Sequence, residues 1–321
     1  MREINRREFV KSLIALGATT LGAGGLLAQA ACGPGPEKAG ELAREPSSGP
    51  SADQAYLAVA RGGSPAEITQ QAVAALGGIE RFVHSGDDVI IKPNICVAYH
   101  TYEYAATTNP EVVATLVSLC LGAGAKKVRV MDYPFGGTAE AAYERSGIKE
   151  AVDAAGGQME LMANMKYRKT PIPDGRDLQE WSVYQDVLAA DVLINVPIAK
   201  HHELARLSLG MKNLLGVVVS RNRFHSNLGQ RVADLTSLVY PTLTVVDAVR
   251  VLMDHGPTGG SLEDVRQMDM VIASHDPVAA DSYAATLFGL AGPDVAYVKA
   301  AAEMGLGEMD LSNLKIEEAQ V

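Results

Sequence analysis

Cysteine is scarce in this sequence of 321 residues, which contains only three: Cys32, Cys96 and Cys120. There is no C-x-x-C pair, and the two cysteines beyond the N-terminal segment cannot supply the four ligands of a usual iron–sulfur cluster. The sequence therefore has no iron–sulfur motif of its own. Cys96 and Cys120 are interpreted as small buried apolar side chains, and the alternative of a disulfide between them stays open.

Positive charge is also in short supply. Lysine and arginine number 28 against 38 acidic residues, which gives a formal net charge of −10. Proteins that bind nucleic acid carry a basic surface, so we expect no nucleic-acid partner. Hydrophobic residues make up 47% of the chain and charged residues 21%, a balance that predicts a folded protein with a substantial core.

The N-terminal segment, residues 1–31, has a charged start and then an apolar run rich in glycine and alanine. Residues 5–11, NRREFVK, combine paired arginines with a phenylalanine and a trailing lysine, the pattern of a twin-arginine export signal. The glycine and threonine content of the apolar run argues against a membrane-spanning anchor. We therefore expect the twin-arginine machinery as a partner and a location in the periplasm or on the outer face of the cell membrane.

Two interpretations of the processing site stay open. Residues 28–30, AQA, fit a small-residue cleavage site, whereas residues 27–32 resemble a lipoprotein box in which Cys32 would be lipidated. Residues 32–54 are rich in proline, glycine, serine and glutamate, which predicts a flexible linker. Residues 55–321 are predicted to form one domain. Contact with the membrane is expected only through the signal or a lipid anchor.

Strands and helices are predicted to alternate through this domain. Capping residues predict helices that begin after Ser64 and after Asn109. The further predicted elements are strands at residues 88–91, 127–131, 191–196, 243–246 and 270–273, and helices at residues 227–240 and 278–288. This alternation predicts an α/β fold with a mainly parallel sheet and helices on both faces, in Rossmann-like layers.

Polar side chains follow several of the predicted strands. Lys92 and Asn94 end one strand, Asp132 ends another, and the segment 197–202 with its Lys200 follows a third. In open α/β sheets, ligands bind beyond the carboxyl ends of the strands, so we expect these side chains to line a ligand cleft. The structural alternative is that each merely caps a helix or satisfies a loop.

A family resemblance rests on a run of motifs in fixed order. These are IKPN, TNPEVV, GAKKVRVMD, NVPIAKHH, MKNLLG, RFH, VADL, TVVDAV, GPTGG and ASHDPVAAD, spread over roughly residues 88–290. Together they resemble the domain-of-unknown-function family DUF 362. The family pattern of Lys-x-His followed about ten residues later by Lys-Asn is matched by Lys200, His202, Lys212 and Asn213. Arg206 departs from it, because the family often has glycine there.

The resemblance implies little chemistry, so functional hypotheses come from residue types. In the first, the protein is an enzyme that binds a small anionic molecule or cofactor, with His202 as general acid or base and Lys200 and Lys212 beside it. The expected ligand-binding residues are Lys92, Asn94, Asp132, Asn213, Arg223, His225, Asp247, His255, Gly256, Thr258, Gly259, Asp276 and Asp281. The cofactor is left unspecified, with a metal or an anionic cofactor both compatible with these residues.

The alternative hypothesis is a protein without catalysis. It would bind a metal or an anion, or act as a chaperone for an exported redox partner. His100, His202, His225 and His255 would be the candidate metal ligands, although no H-x-x-x-H pair supports a preformed site. Whether the protein is an enzyme stays open on the sequence.

Overall fold

A computed structural model describes residues 56–321. The predicted export signal, the predicted linker and the candidate lipidation residue Cys32 lie outside the described residues. Within the described range, no helix is both long enough and apolar enough to cross a membrane.

Strands supply the central layer of the fold. They are β1 (Leu57–Arg61), β2 (Asp88–Pro93), β3 (Lys127–Val130), β4 (Gln158–Met159), β5 (Tyr167–Pro171), β6 (Glu180–Tyr184), β7 (Val192–Val196), β8 (Ile198–His202), β9 (Arg206–Ser208), β10 (Leu243–Leu252), β11 (Val265–Ser274) and β12 (Ile316–Gln320). Ten of them form one sheet in the order β12-β1-β11-β10-β7-β2-β3-β4, with β8 paired to β10 and β9 paired to β8. β5 and β6 form a separate hairpin.

The run β10-β7-β2-β3-β4 is parallel throughout, which confirms the predicted fold class. The helices are α1 (Pro65–Ala75), α2 (Pro110–Gly122), α3 (Ala139–Arg145), α4 (Ile148–Ala154), α5 (Asp186–Ala189), α6 (Gly210–Asn213), α7 (Leu228–Leu238), α8 (Pro277–Thr286) and α9 (Ala296–Glu303). As predicted, Ser64 caps α1 and Asn109 caps α2 with side-chain oxygens that accept backbone N–H groups.

Helices cover both faces of the sheet because its strands are apolar on both faces. Ile90 packs in one core with residues of α7, α8 and α9, whereas its neighbour Ile91 packs in the other core with residues of α1, α2 and α4. Successive side chains of a strand point to opposite faces, so the continuous apolar run of β2 serves both layers.

Two strands differ from the expectation based on the sequence, and as a result two predicted site residues do not lie at the carboxyl edge of the sheet. β11 runs antiparallel to β10, with Ser274 opposite Thr244. The end of β11 therefore lies at the amino edge of the parallel strands, and Asp276 lies at that edge too. β10 continues to Leu252, which leaves Asp247 in the middle of a strand instead of at its end.

The segment after β7 that carries the basic residues forms two strands and not an irregular loop. β8 and β9 form an antiparallel hairpin in which Lys200 pairs with Ser208 and His202 with Arg206. Lys200 and His202 are thus alternate residues of one strand, whose side chains lie on the same face, as the i, i+2 spacing requires.

Candidate functional site

A cavity of about 480 Å³ lies at the carboxyl ends of β2, β3 and β7, the edge where α/β sheets place their ligands. Its walls come from the residues that follow β2 and β3, from β8, from α6 and from the segment around residues 215–225. The polar side chains that line it include Asn94, Asp132, Lys200, His202, Lys212, Asn213, Arg221 and His225.

Lys92 lies beneath the cavity wall and not on it. Its side chain is fully buried, and its Nζ donates to Asp132 Oδ1 at 2.7 Å, to the Pro93 carbonyl at 3.0 Å and to Asn213 Oδ1 at 3.2 Å. Burial lowers the pKa of Lys92, and the ion pair with Asp132 opposes that shift. Lys92 therefore organises the wall and offers no free donor to a ligand.

Lys200 is also saturated with protein partners. Its Nζ donates to Asn94 Oδ1 at 2.9 Å and to the carbonyls of Ala106 at 2.7 Å and Pro257 at 3.0 Å. An ammonium group has three N–H donors, and these three acceptors account for all of them. Lys200 thus contributes positive charge to the cavity, which differs from the direct catalytic role expected for it.

His202 is held in one tautomer by its own hairpin. Its Nδ1 accepts the backbone N–H groups of Leu204 at 3.1 Å and Ala205 at 3.2 Å, so the ring proton of the neutral imidazole lies on Nε2. Burial, followed by the charges of Lys212 and Lys200, lowers the pKa of His202 to about 3. His202 is therefore a neutral Nε2–H donor at physiological pH, whereas a general acid or base near neutrality was expected.

Lys212 differs from the other lysines of the site. Within the part of the chain that the structure describes, its Nζ has no hydrogen-bond or ion-pair partner, although the residue lines the cavity. Burial and then the charge of Lys200 lower the pKa of Lys212 to about 8, with Cys96 opposing the shift and Arg221 adding to it. An appreciable fraction of this amine is neutral at physiological pH.

The helix α6, which carries Lys212, is held in place by a carboxylate of α8. Asp281 on α8 accepts the N–H groups of Gly210 at 2.6 Å and Met211 at 2.9 Å, which are the first two residues of α6. Burial raises the pKa of this carboxyl to about 7. Asp281 was expected to bind a ligand, and the structure places it as the support of the helix that carries Lys212.

Arg221 belongs to the cavity and was missed as a ligand-binding candidate. It donates to the carbonyls of Tyr133 and Pro134, both at 2.9 Å, and its guanidinium lies 4.8 Å from the centre of the Tyr133 ring. Arg223, which was expected there, instead lies over Trp181 at 5.1 Å and does not line the cavity. The only feature of the sequence that pointed to Arg221 was the basic segment RNRFH at residues 221–225. Because neighbouring side chains of such a segment point in different directions, the sequence did not show which of them faces the cavity.

Two other predicted carboxylates serve the backbone. Asp247 accepts the N–H groups of Asn109 at 2.7 Å and Val249 at 2.9 Å, and burial raises its pKa to about 6. Asp276 caps α8 by accepting the N–H groups of Val278 and Ala279. Both carboxylates lie away from the cavity, because one sits within β10 and the other follows an antiparallel strand.

The glycine-rich loop after β10 contributes less than expected. Pro257 lines the cavity, whereas Gly256, Thr258 and Gly259 do not. His255 is exposed and its Nδ1 lies 3.0 Å from Asp264 Oδ2, an interaction that raises its pKa. This loop closes one wall of the cavity through Pro257, whose carbonyl holds Lys200.

The cysteines and histidines do not gather into a metal centre in residues 56–321. No group of three or more His, Cys, Asp or Glu side chains in this range is arranged to hold a metal ion. Cys96 and Cys120 are both buried free thiols. Cys120 is a residue of α2 that points into the core, where burial raises its pKa to about 12, whereas Cys96 lines the cavity.

Comparison with known proteins identifies a family and leaves the activity open. The sequence profile described as "Domain of unknown function (DUF362)" matches residues 89–286. The thylakoid-associated protein sll1697 of Synechocystis sp. is 27% identical over 215 residues, and the match covers 64% of this chain and 64% of that protein's length. The lactate racemase apoprotein from Thermoanaerobacterium thermosaccharolyticum shares 11% identity at a TM-score of 0.40, over 68% of this chain and 55% of that one. At that score the likeness supports no conclusion about function.

Proposed function

The chain belongs to the family described as Domain of unknown function (DUF362), and we propose that it is an enzyme that binds a small organic anion in the cavity and acts on it through Lys212. Arg221 and Lys200 supply further positive charge. His202 supplies a neutral hydrogen-bond donor.

The charge balance of the cavity supports an anionic ligand. Lys200, Lys212 and Arg221 line it. Of the two carboxylates that line it, Asp132 is buried and paired with Lys92, and Glu203 is exposed. The whole chain carries a net charge of −10, so the cavity is a basic site in an acidic protein. A concave basic site focuses the field and raises the local concentration of anions.

One observation carries the proposal: Lys212 lines the cavity, and its ammonium has no protein partner among the described residues. Leaving a charged group desolvated and unpaired is unfavourable, and a bound anion removes that penalty. The same environment makes the neutral amine accessible, and a neutral lysine amine is a nucleophile or a base. Lys212 is thus both the anion's counter-charge and the reactive group.

The exposed rim of the cavity has an apolar part beside polar residues such as Glu203 and His225, and the apolar part bears on the shape of the ligand. Phe135 and Leu204 line the cavity with exposed fractions of 68% and 63%, and Tyr133 stands beside them under Arg221. An anion with an aromatic or aliphatic portion would place its charge against the lysines and its apolar part against this rim.

Calorimetric titration with benzoate, and with neutral benzamide as the control ligand, tests the proposal. We expect benzoate to bind and benzamide to bind at least about tenfold more weakly, since one hydrogen-bonded charge is worth about 1.5–3 kcal/mol. Lys212→Met should weaken benzoate binding by a similar factor, and Lys126→Met on the exposed surface should not.

The affinity for benzoate should change with pH in one direction. Anion binding needs the ammonium form, so affinity for benzoate should fall as the pH rises through about 8, the pKa of Lys212. Equal binding of benzoate by the wild type and Lys212→Met would contradict the assignment of Lys212.

We also propose that the protein is exported by the twin-arginine route. The motif NRREFVK at residues 5–11 supports this, together with the apolar run that follows it. A ligand or redox partner outside the cytoplasm would then meet the protein in the periplasm or at the outer face of the membrane.

A further inference from the structure

We propose that the organic anion is an oxo acid, an aldehyde or ketone that carries a carboxylate, and that Lys212 forms a Schiff base with its carbonyl carbon. This inference rests on the proposed function, because it assumes that the cavity binds an organic anion. It adds the chemical class of the substrate and the covalent step.

The first support is that two polar side chains of the cavity wall, Asp132 and Asn213, already accept hydrogen bonds from donors other than Lys212. Asp132 Oδ1 accepts from Lys92 at 2.7 Å and Oδ2 accepts the Ile95 N–H at 2.7 Å. Asn213 Oδ1 accepts from Lys92 and from Asn94 Nδ2, the latter at 2.9 Å. Both side chains therefore have other donors, and the Lys212 amine, which has no hydrogen-bond partner among the described residues, stays available as a nucleophile.

The second support is the contrast with the neighbouring lysine. Lys200 also lines the cavity, but its three N–H groups are directed to three protein oxygens. It holds a positive charge beside Lys212 without competing for the electrophile, and such a neighbour favours the neutral, nucleophilic form of the second amine. Burial and this charge lower the pKa of Lys212 to about 8.

The third support is a donor suited to a carbonyl oxygen. His202 is fixed with Nδ1 as an acceptor for Leu204 and Ala205, so it presents Nε2–H and stays neutral. A neutral N–H polarises a carbonyl without protonating the attacking amine. Arg221 gives two hydrogen bonds to main-chain carbonyls and keeps further N–H groups of its guanidinium for the carboxylate.

The reaction balances without an oxidant or reductant. The lone pair of the neutral Lys212 Nζ attacks the carbonyl carbon, so a C–N bond forms and the C=O π bond breaks. A proton then passes through solvent from that nitrogen to the carbonyl oxygen, which gives a neutral carbinolamine. The carbinolamine then loses its hydroxyl group and a proton from nitrogen as one molecule of water, which leaves the C=N bond. Protonation of that nitrogen gives the cationic imine, with Lys200 and Arg221 positioned near the carboxylate.

The test is reductive trapping on the full chain. The protein is incubated with pyruvate or phenylpyruvate and sodium borohydride, and intact mass and peptide mapping locate the adduct. We expect one equivalent of reduced adduct on Lys212, faster labelling as the pH rises through about 8, and protection by benzoate. Lys212→Arg keeps the charge but has no amine that forms this adduct, so the labelling should be lost, whereas Lys126→Arg should label as the wild type does.

The outcomes separate this inference from the proposed function. Adducts spread over surface lysines and unchanged in Lys212→Arg would overturn the Schiff base. Benzoate binding that needs the charge at position 212, with no adduct from either oxo acid, would overturn the Schiff base and leave the anion site standing. Absence of both benzoate binding and adduct would overturn the two together. Circular dichroism of Lys212→Arg establishes that a lost adduct does not reflect a lost fold.

Discussion

At the scale of single residues, the two ring nitrogens of His202 have different roles. Nδ1 accepts two backbone N–H groups of the hairpin, and Nε2–H is left for the cavity. Asparagine at this position would carry an oxygen near the place of Nδ1, whereas glutamine would carry its polar end near the place of Nε2. The two substitutions therefore test the two edges of the ring separately.

We expect His202→Asn to keep most of the stability and to bind benzoate up to about tenfold more weakly, because a neutral hydrogen bond contributes about 0.5–1.5 kcal/mol. His202→Gln should instead lower the free energy of unfolding by about 1–3 kcal/mol, since the N–H groups of Leu204 and Ala205 lose their acceptor. Urea unfolding and benzoate titration measure the two effects. Parallel losses of both properties in both variants would argue against this division.

The sequence identified candidate residues of the site, but it did not show their protonation states. The spacing of Lys200, His202 and Lys212 marked them as candidates, and all three line one cavity. Only the surrounding contacts show that Lys200 has three acceptors and that Lys212 has none among residues 56–321. The chemical difference between two lysines twelve positions apart is therefore a property of the fold.

At the scale of elements, the short turn Leu214–Val217 brings bare backbone against the buried ion pair. A Cβ added at Gly216 would lie 2.5 Å from Lys92 Nζ and closer still to Asp132 Oδ1. Glycine is thus required here for close approach of the turn to the pair. The turn follows α6 directly, so its position also fixes Lys212 and Asn213.

We predict that Gly216→Ala separates Lys92 from Asp132 and lowers the free energy of unfolding by at least about 1–3 kcal/mol, the usual cost of overpacking, because a buried pair is disturbed as well. Gly122→Ala is the matched control. Gly122 lies in α2, and an added Cβ there meets no atom within 4 Å, so we expect no loss or a gain of about 0.5–1 kcal/mol. Guanidinium unfolding of both variants decides the matter, and equal effects would contradict the packing explanation.

Element type was predictable where local signals were strong. Ser64 and Asn109 marked the starts of α1 and α2, and the apolar runs marked β2, β3 and β7. The hairpin β8–β9 was missed because polar residues dominate it, and polar strands lack the apolar alternation that marks a half-buried strand. The antiparallel direction of β11 depends on pairing with β1 and β10, which no local signal encodes.

At the scale of the whole molecule, the N-terminal residues should decide the compartment. We predict that replacing Arg6 and Arg7 by lysine retains the protein in the cytoplasm, because the twin-arginine signal depends on the pair. Cell fractionation with immunodetection measures this. Normal export of the double-lysine variant would contradict the route.

Cys32→Ser serves as the companion variant, since it leaves the arginine pair intact and should still be exported. If Cys32 carries a lipid, this substitution should move the exported protein from the membrane fraction to the soluble fraction. If cleavage occurs after the AQA at residues 28–30, the distribution should not change.

The fold class, the family and the stretch of chain that carries Lys200, His202 and Lys212 could be predicted from the sequence, because periodicity, capping residues and motif spacing are local properties. It did not determine which of those side chains share the cavity. The length of β10 and the direction of β11 place Asp247 and Asp276 outside the cavity, and the geometry of a turn places Arg221 in its lining. That Lys212 Nζ has no partner among residues 56–321 depends on the tertiary structure, since burial beside Lys200 and the engagement of Asp132 and Asn213 with Lys92 and Asn94 arise only when distant segments meet.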